Sequence, residues 1–209
     1  MKRLVFLFHL AVALLAALAF AAPAQAAVGS STSAVQLFSD GSAVPGASST
    51  LTRTGRGVSV SLRTSGLTAG DAVTVWWVVF NHPEECQGMA GSPYRCGEPD
   101  LFNPDVEASV QYAGGHIIGG SGSYSIGSYL SEGDTTGCAL GDELLCAGLI
   151  DAQVADVHFV VRTHGEALPE YLPGQFQSFG GACGNVPEEF GGGGPNMCED
   201  LQFSVHETS

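Results

Sequence analysis

Lysine is almost missing from this chain: Lys2 is the sole example, and seven basic residues face 21 acids for a formal net charge of −14. So acidic a chain repels phosphate backbones and anionic lipid surfaces, which sets nucleic acid aside as a partner. Several catalytic signatures are also missing. There is no G-x-S-x-G nucleophile elbow, no H-E-x-x-H pair, no phosphate-cradling P-loop and no G-x-G-x-x-G opening a helix. No C-x-x-C pair occurs, which counts against a thiolate zinc site. Long stretches of helical period are absent too.

What is present begins with a leader. Lys2 and Arg3 precede an apolar run from Leu4 to Ala22, and Pro23 leads into Ala24-Gln25-Ala26, small residues of the kind a signal peptidase accepts. The pattern predicts a secretory signal over residues 1–26, cut after Ala26, and a single domain over 27–209. Removal of the leader takes Lys2 and Arg3 with it, leaving five arginines against 21 acids. No later segment is long and apolar enough to span a bilayer. The expected product is secreted or periplasmic, with no membrane insertion after signal removal.

Six cysteines follow in three close pairs: Cys86 and Cys96, Cys138 and Cys146, Cys183 and Cys198. An even count in an exported chain predicts disulfides, here paired in sequence order across short loops. Each bridge stabilises by about 2–3 kcal/mol in the loop-entropy picture.

The strongest element is Ala72 to Phe80, apolar apart from Thr74 and almost wholly β-branched or aromatic. Such a run suits a strand buried on both faces. Around it lie alternating runs: Ser33 to Phe38, Ser49 to Thr54, Val58 to Thr64, Val106 to Tyr112, Ser123 to Leu130 and, the second strong strand, Val154 to Thr163. Val58, Val60 and Leu62 are expected inward, as are Leu201, Phe203 and Val205 in a closing strand from Leu201 to His206. Gln175 to Phe179 reads as a short strand, Asp142 to Leu145 as a helical turn, and Gly191 to Gly194 as a loop tip. The pattern predicts an all-β fold: an antiparallel β-sandwich of eight or nine strands with disulfide-stapled loops. A closed β-barrel is the alternative, because strand count alone does not separate the two.

Five blocks carry a resemblance. W-W-V-V-F-N-H-P-E-E-C (Trp76 to Cys86), G-H-I-I-G-G (Gly115 to Gly120), H-F-V-V-R-T-H-G (His158 to Gly165), Q-F-Q-S-F-G-G-A-C (Gln175 to Cys183) and C-E-D-L-Q-F-S-V-H (Cys198 to His206) stand in this order. Together they resemble a group of uncharacterised exported bacterial proteins. The resemblance implies export and a compact domain, and carries no activity or ligand.

Two constellations offer chemistry. Period two places Asp156, His158, Val160 and Arg162 on one strand face, and His206 ends the closing strand. If those strands are neighbours, His158 or His164 meets His206, with His116 on a glycine-flanked turn as a further ligand; imidazoles on a rigid scaffold suit zinc or copper. The second is E-P-D-L-F-N-P-D-V-E, where Glu98, Asp100, Asn103, Asp105 and Glu107 offer closely spaced oxygens of the kind calcium takes. Trp76, Trp77, Tyr124 and Tyr129 supply the aromatic rings, with no exposed platform legible. The first functional reading is therefore a non-enzymatic binding or structural module with an unidentified ligand or protein partner. The alternative is a metal-dependent extracytoplasmic enzyme built on His116, His158, His164 and His206.

Overall fold

The structure, a computed structural model, describes residues 29–140 and 145–208. The leader and most of the helical turn expected at Asp142 to Leu145 lie outside the described residues. Eight strands form: β1 Gly29–Leu37, β2 Ala43–Thr54, β3 Gly57–Thr64, β4 Asp71–Phe80, β5 Ala108–Ile117, β6 Tyr124–Ser131, β7 Asp156–Glu166 and β8 Glu199–His206. They hydrogen-bond as one sheet in the order β5-β4-β7-β8-β1-β2-β3-β6. Every pairing is antiparallel. The sheet curls until its end strands β5 and β6 touch without hydrogen-bonding as a pair, so of the two architectures left open by the strand pattern it is the barrel-like one, nearly closed.

At the seam between β5 and β6, Gly114 lies against the Ile126 side chain, whose terminal methyl would have to shift to admit a Cβ there. Beside it the His116 ring stacks on Tyr124, centroids 5.5 Å apart and planes 5° from parallel. The glycines before His116 are therefore not a turn, as the sequence suggested. β5 continues through them to Ile117, with a bulge opposite Val75 and Trp76.

β4 is buried on both faces, as its composition demands. Val73, Val75, Trp77 and Val79 pack inside the barrel against Leu51, Val58, Val60, Leu62, Val157, Phe159 and Val161. Trp76, Val78 and Phe80 face outward into a second core with Cys96, Val106, Ala108 and Val110. That outer core is roofed by the disulfide loops, through Cys86 and Leu101, Ala139 and Leu145, and Phe179. The three bridges are Cys86–Cys96, Cys138–Cys146 and Cys183–Cys198, the sequence-order pairing.

Two loop expectations change. Gln175 to Phe179 is no strand: Gly174–Gln177 forms one helical turn, and the buried Gln175 side chain bonds the Leu168 amide and the Glu166 carbonyl. Gly191 to Gly194 is no free loop tip either. A Cβ at Gly192 would strike the Val186 carbonyl, and one at Gly194 the Ala182 backbone. These glycines let two backbone segments pack directly against each other over the outer face.

Candidate functional site

The interior of the barrel is apolar on the β4 and β7 side and polar where β8 faces β1 and β2. The register places Val157 opposite His206 and His158 opposite Val205. Directly paired residues share a sheet face. His206 therefore shares the inner face of Val157, while His158 and Val205 face outward. This corrects the expectation for Phe203 and Val205 on β8, while Leu201, at the bulge, does pack against the inner core: Gln202, Ser204 and His206 point inward, and Phe203 points out against Phe38, centroids 4.8 Å apart.

Inside, His206 is 2% exposed and is held between two hydroxyls, Ser31 Oγ at 2.8 Å from Nδ1 and Ser49 Oγ at 2.7 Å from Nε2. Ser49 donates to Ser204 Oγ at 2.8 Å. The chain is therefore directional: Ser31 donates to Nδ1, Nε2–H donates to Ser49, and Ser49 to Ser204. Next to it Arg53 donates to the carbonyls of Ala152 and Ala155, both at 2.7 Å, and to that of His206 at 3.0 Å. Burial, and then the Arg53 charge, hold the His206 pKa down at about 4.

On the outer face His158 lies between Phe80, ring centroids 4.9 Å away, and Tyr94 at 6.4 Å. Its Nε2 is buried without a hydrogen-bond partner. Burial, followed by the nearby His206, pushes its pKa down to about 3. The neighbouring Asp156 carboxylate is committed elsewhere, to Arg95 Nη2 at 2.9 Å and the Thr208 amide at 2.7 Å.

His164 sits at the other end of β7, beneath the Cys183–Cys198 loop, and is fully buried. Its Nδ1 is 3.0 Å from the Gly181 carbonyl, which only accepts, so the proton resides on Nδ1. Nε2 then accepts from the Thr74 hydroxyl at 2.8 Å, and Thr74 Oγ1 in turn accepts Trp76 Nε1–H at 2.7 Å. Burial lowers the His164 pKa to about 4, with the Gly181 bond opposing and Arg162 assisting. His116 is exposed at the barrel seam. The structure thus distributes the four predicted metal-ligand histidines over four separate environments and does not bring them together.

The predicted calcium oxygens do not converge either. Asp100 is 2% exposed, and its carboxylate accepts the backbone amides of Gln87 at 2.7 Å, Gly88 at 3.1 Å and Gly97 at 2.8 Å. It clasps the Cys86–Cys96 loop. Asn103 bonds the Asp105 amide and the Glu85 carbonyl. Glu98 is exposed, whereas Asp105 and Glu107 line an open cleft with His82, Glu84 and Glu85. Of the aromatic candidates, Trp76 and Trp77 are each 1% exposed and Tyr124 8%, leaving Tyr129 at 52% as the exposed ring.

Among the described residues, one group of three potential ligands has its donor atoms within 4.8 Å of one another: His164, Cys183 and Cys198. With the sulfurs joined as a disulfide, the oxidised group offers no thiolate. Sequence reasoning missed this grouping because the cysteines and His164 belong to separate stretches of chain. It also missed Thr74, which the run of apolar neighbours disguised as a core residue. No family model, curated protein or solved structure matches the chain.

Proposed function

We propose that this is an exported, acidic, non-enzymatic binding or structural module that works outside the cytoplasm. The three disulfides, carried in loops that roof the outer core, support an oxidising location. Among the described residues no helix is long and apolar enough to cross a membrane. The leader pattern and the resemblance to exported bacterial proteins point the same way.

The observation that carries the non-enzymatic reading is the separation of the imidazoles by the β7–β8 wall. His206 is engaged inside by two hydroxyls, His164 outside by Thr74 and Gly181, and His158 between aromatic rings. A catalytic zinc site needs three protein ligands around one open position, whereas His206 faces inward and His158 and His164 lie outside toward opposite ends of β7. One surface open to a partner is the stapled segment from His82 to Glu107, with its acidic cleft and the exposed Met89 and Phe102. That surface favours a partner bearing positive charge.

The test is a thermal melt of the oxidised mature chain with EDTA, then with zinc and with copper. A ligand of the folded state at a hundredfold excess over its dissociation constant stabilises by about 2.7 kcal/mol. The melting temperature is expected to stay constant; a stoichiometric rise with either metal overturns the reading in favour of the metalloenzyme. Export is checked separately, by recovery of a chain beginning at Ala27 outside the cytoplasm.

A further inference from the structure

We propose that, when the Cys183–Cys198 disulfide is reduced, the two thiolates and His164 Nδ1 form a binding site for zinc. His164 Nδ1 lies 3.5 Å from Cys183 Sγ and 3.8 Å from Cys198 Sγ. A tetrahedral zinc with Zn–S of about 2.3 Å and Zn–N of about 2.0 Å sets sulfur and nitrogen about 3.5 Å apart. Two edges of the coordination triangle are therefore in place in the oxidised protein. The third, between the sulfurs, opens once the bond between them is broken.

The loop does not rely on the disulfide alone to hold these positions. Asn185 donates to the Cys198 carbonyl at 2.8 Å and accepts the Cys198 amide at 2.9 Å. Asn196 donates to the His164 carbonyl at 2.6 Å, and the Gly184 amide to the Asn196 carbonyl at 2.7 Å. Cys183 is held by its own amide on the Gly180 carbonyl and by the Gly193 amide on its carbonyl, both at 2.9 Å, so both cysteines have anchors that reduction does not break. Nδ1 must also shed its proton to serve as a ligand. Thr74 Oγ1 makes this available, because an oxygen with two lone pairs accepts His164 Nε2–H and Trp76 Nε1–H together. A ligand imidazole oriented through its second nitrogen is the usual outer-shell arrangement. The other two bridges lack such a neighbour: Cys96 Sγ lies 3.9 Å from an Asp156 carboxylate already paired to Arg95, and Cys138 Sγ lies against the Thr135 carbonyl.

The chemistry balances with a dithiol or phosphine as reductant. Two electrons enter the S–S bond and two protons are taken up, giving two thiols. Zinc then forms two Zn–S bonds and one Zn–N bond; the two thiol protons leave to solvent, and the imidazole gives up its Nδ1 proton and takes one up at Nε2, so it stays neutral. Thiolates select zinc over calcium or magnesium.

The experiment titrates the full mature chain with cobalt(II) and zinc after phosphine reduction, following thiolate-to-cobalt charge-transfer absorption, with circular dichroism to monitor the fold. One cobalt per chain is expected in the reduced form and none in the oxidised form, with zinc displacing cobalt. The absorption is expected to vanish in Cys183→Ser/Cys198→Ser and to persist in Cys86→Ser/Cys96→Ser. In His164→Gln the affinity is expected to fall at least tenfold. Absence of the band in the reduced chain overturns the proposal, as does a band that survives loss of Cys183 and Cys198 or is indifferent to His164→Gln. A melt of the oxidised chain reads the functional proposal independently.

Discussion

Thr74 Oγ1 lies 2.8 Å from His164 Nε2, and this contact fastens the barrel to the loop that roofs it. Thr74 belongs to β4, His164 to β7, and the imidazole passes the bond onward to Gly181, two residues before Cys183 at the entry to the Cys183–Cys198 loop. Replacing Thr74 with valine keeps the shape but strands Trp76 Nε1–H and His164 Nε2. Each stranded buried group costs about 1–3 kcal/mol. Thr74→Val is expected to lower the urea midpoint by an amount corresponding to about 2–6 kcal/mol with an unchanged m-value, and Thr74→Ser to retain most of the stability.

Three buried imidazoles make the fold sensitive to acid. His158 is depressed to about 3, and His164 and His206 to about 4, all below the ordinary 6.5. Each is neutral in the fold and charged in the unfolded chain once pH drops below 6.5. The stability they allow is thus complete above pH 6.5 and is lost as pH falls toward 4 and then 3. Tryptophan fluorescence from Trp76 and Trp77 is expected to report an unfolding midpoint above pH 4.

His158 isolates one part of that sensitivity, since its Nε2 has no partner to lose. His158→Leu is expected to narrow the stability gap between pH 8 and pH 5 by about 2 kcal/mol, at about 1.4 kcal/mol per unit of pH below 6.5. Denaturant melts at the two pH values measure it; an unchanged gap would place the acid sensitivity elsewhere.

Asp100 is a clasp for three amides. Asp100→Asn replaces an acceptor oxygen with a donor facing N–H groups, and is expected to destabilise by about 1–3 kcal/mol. The same loss should appear in EDTA and in calcium. A loss confined to calcium would instead restore the metal role for this loop.

Gly192 has a carbonyl where a side chain would begin. Gly192→Ala is expected to cost about 1–3 kcal/mol through overpacking. It should also reduce the yield of the Cys183–Cys198 bridge on refolding, read by mapping the disulfides.

Much of the fold is legible along the chain. The both-sided burial of β4 follows from nine nearly unbroken apolar residues, and the inward Val58, Val60 and Leu62 follow from their serine and arginine alternates. The spacing of the cysteines matches the observed pairs. The candidate site is far less legible. His158 and His206 sit on strands that do pair, yet a one-residue offset puts them on opposite faces, and no feature of either strand alone announces that offset. Ser109 and Gln111 show the same difficulty, since they face the barrel while Ala108, Val110 and Tyr112 face the roofing loops.

The sequence by itself determined that this chain builds strands, which stretches are buried twice, and which cysteines lie near each other, because side-chain period and loop length are local quantities. The tertiary structure alone decided which face of β8 turns inward and which groups surround each histidine. Alternation says that two faces differ; only the closing of the sheet and the roofing of its outside tell which of them is the interior.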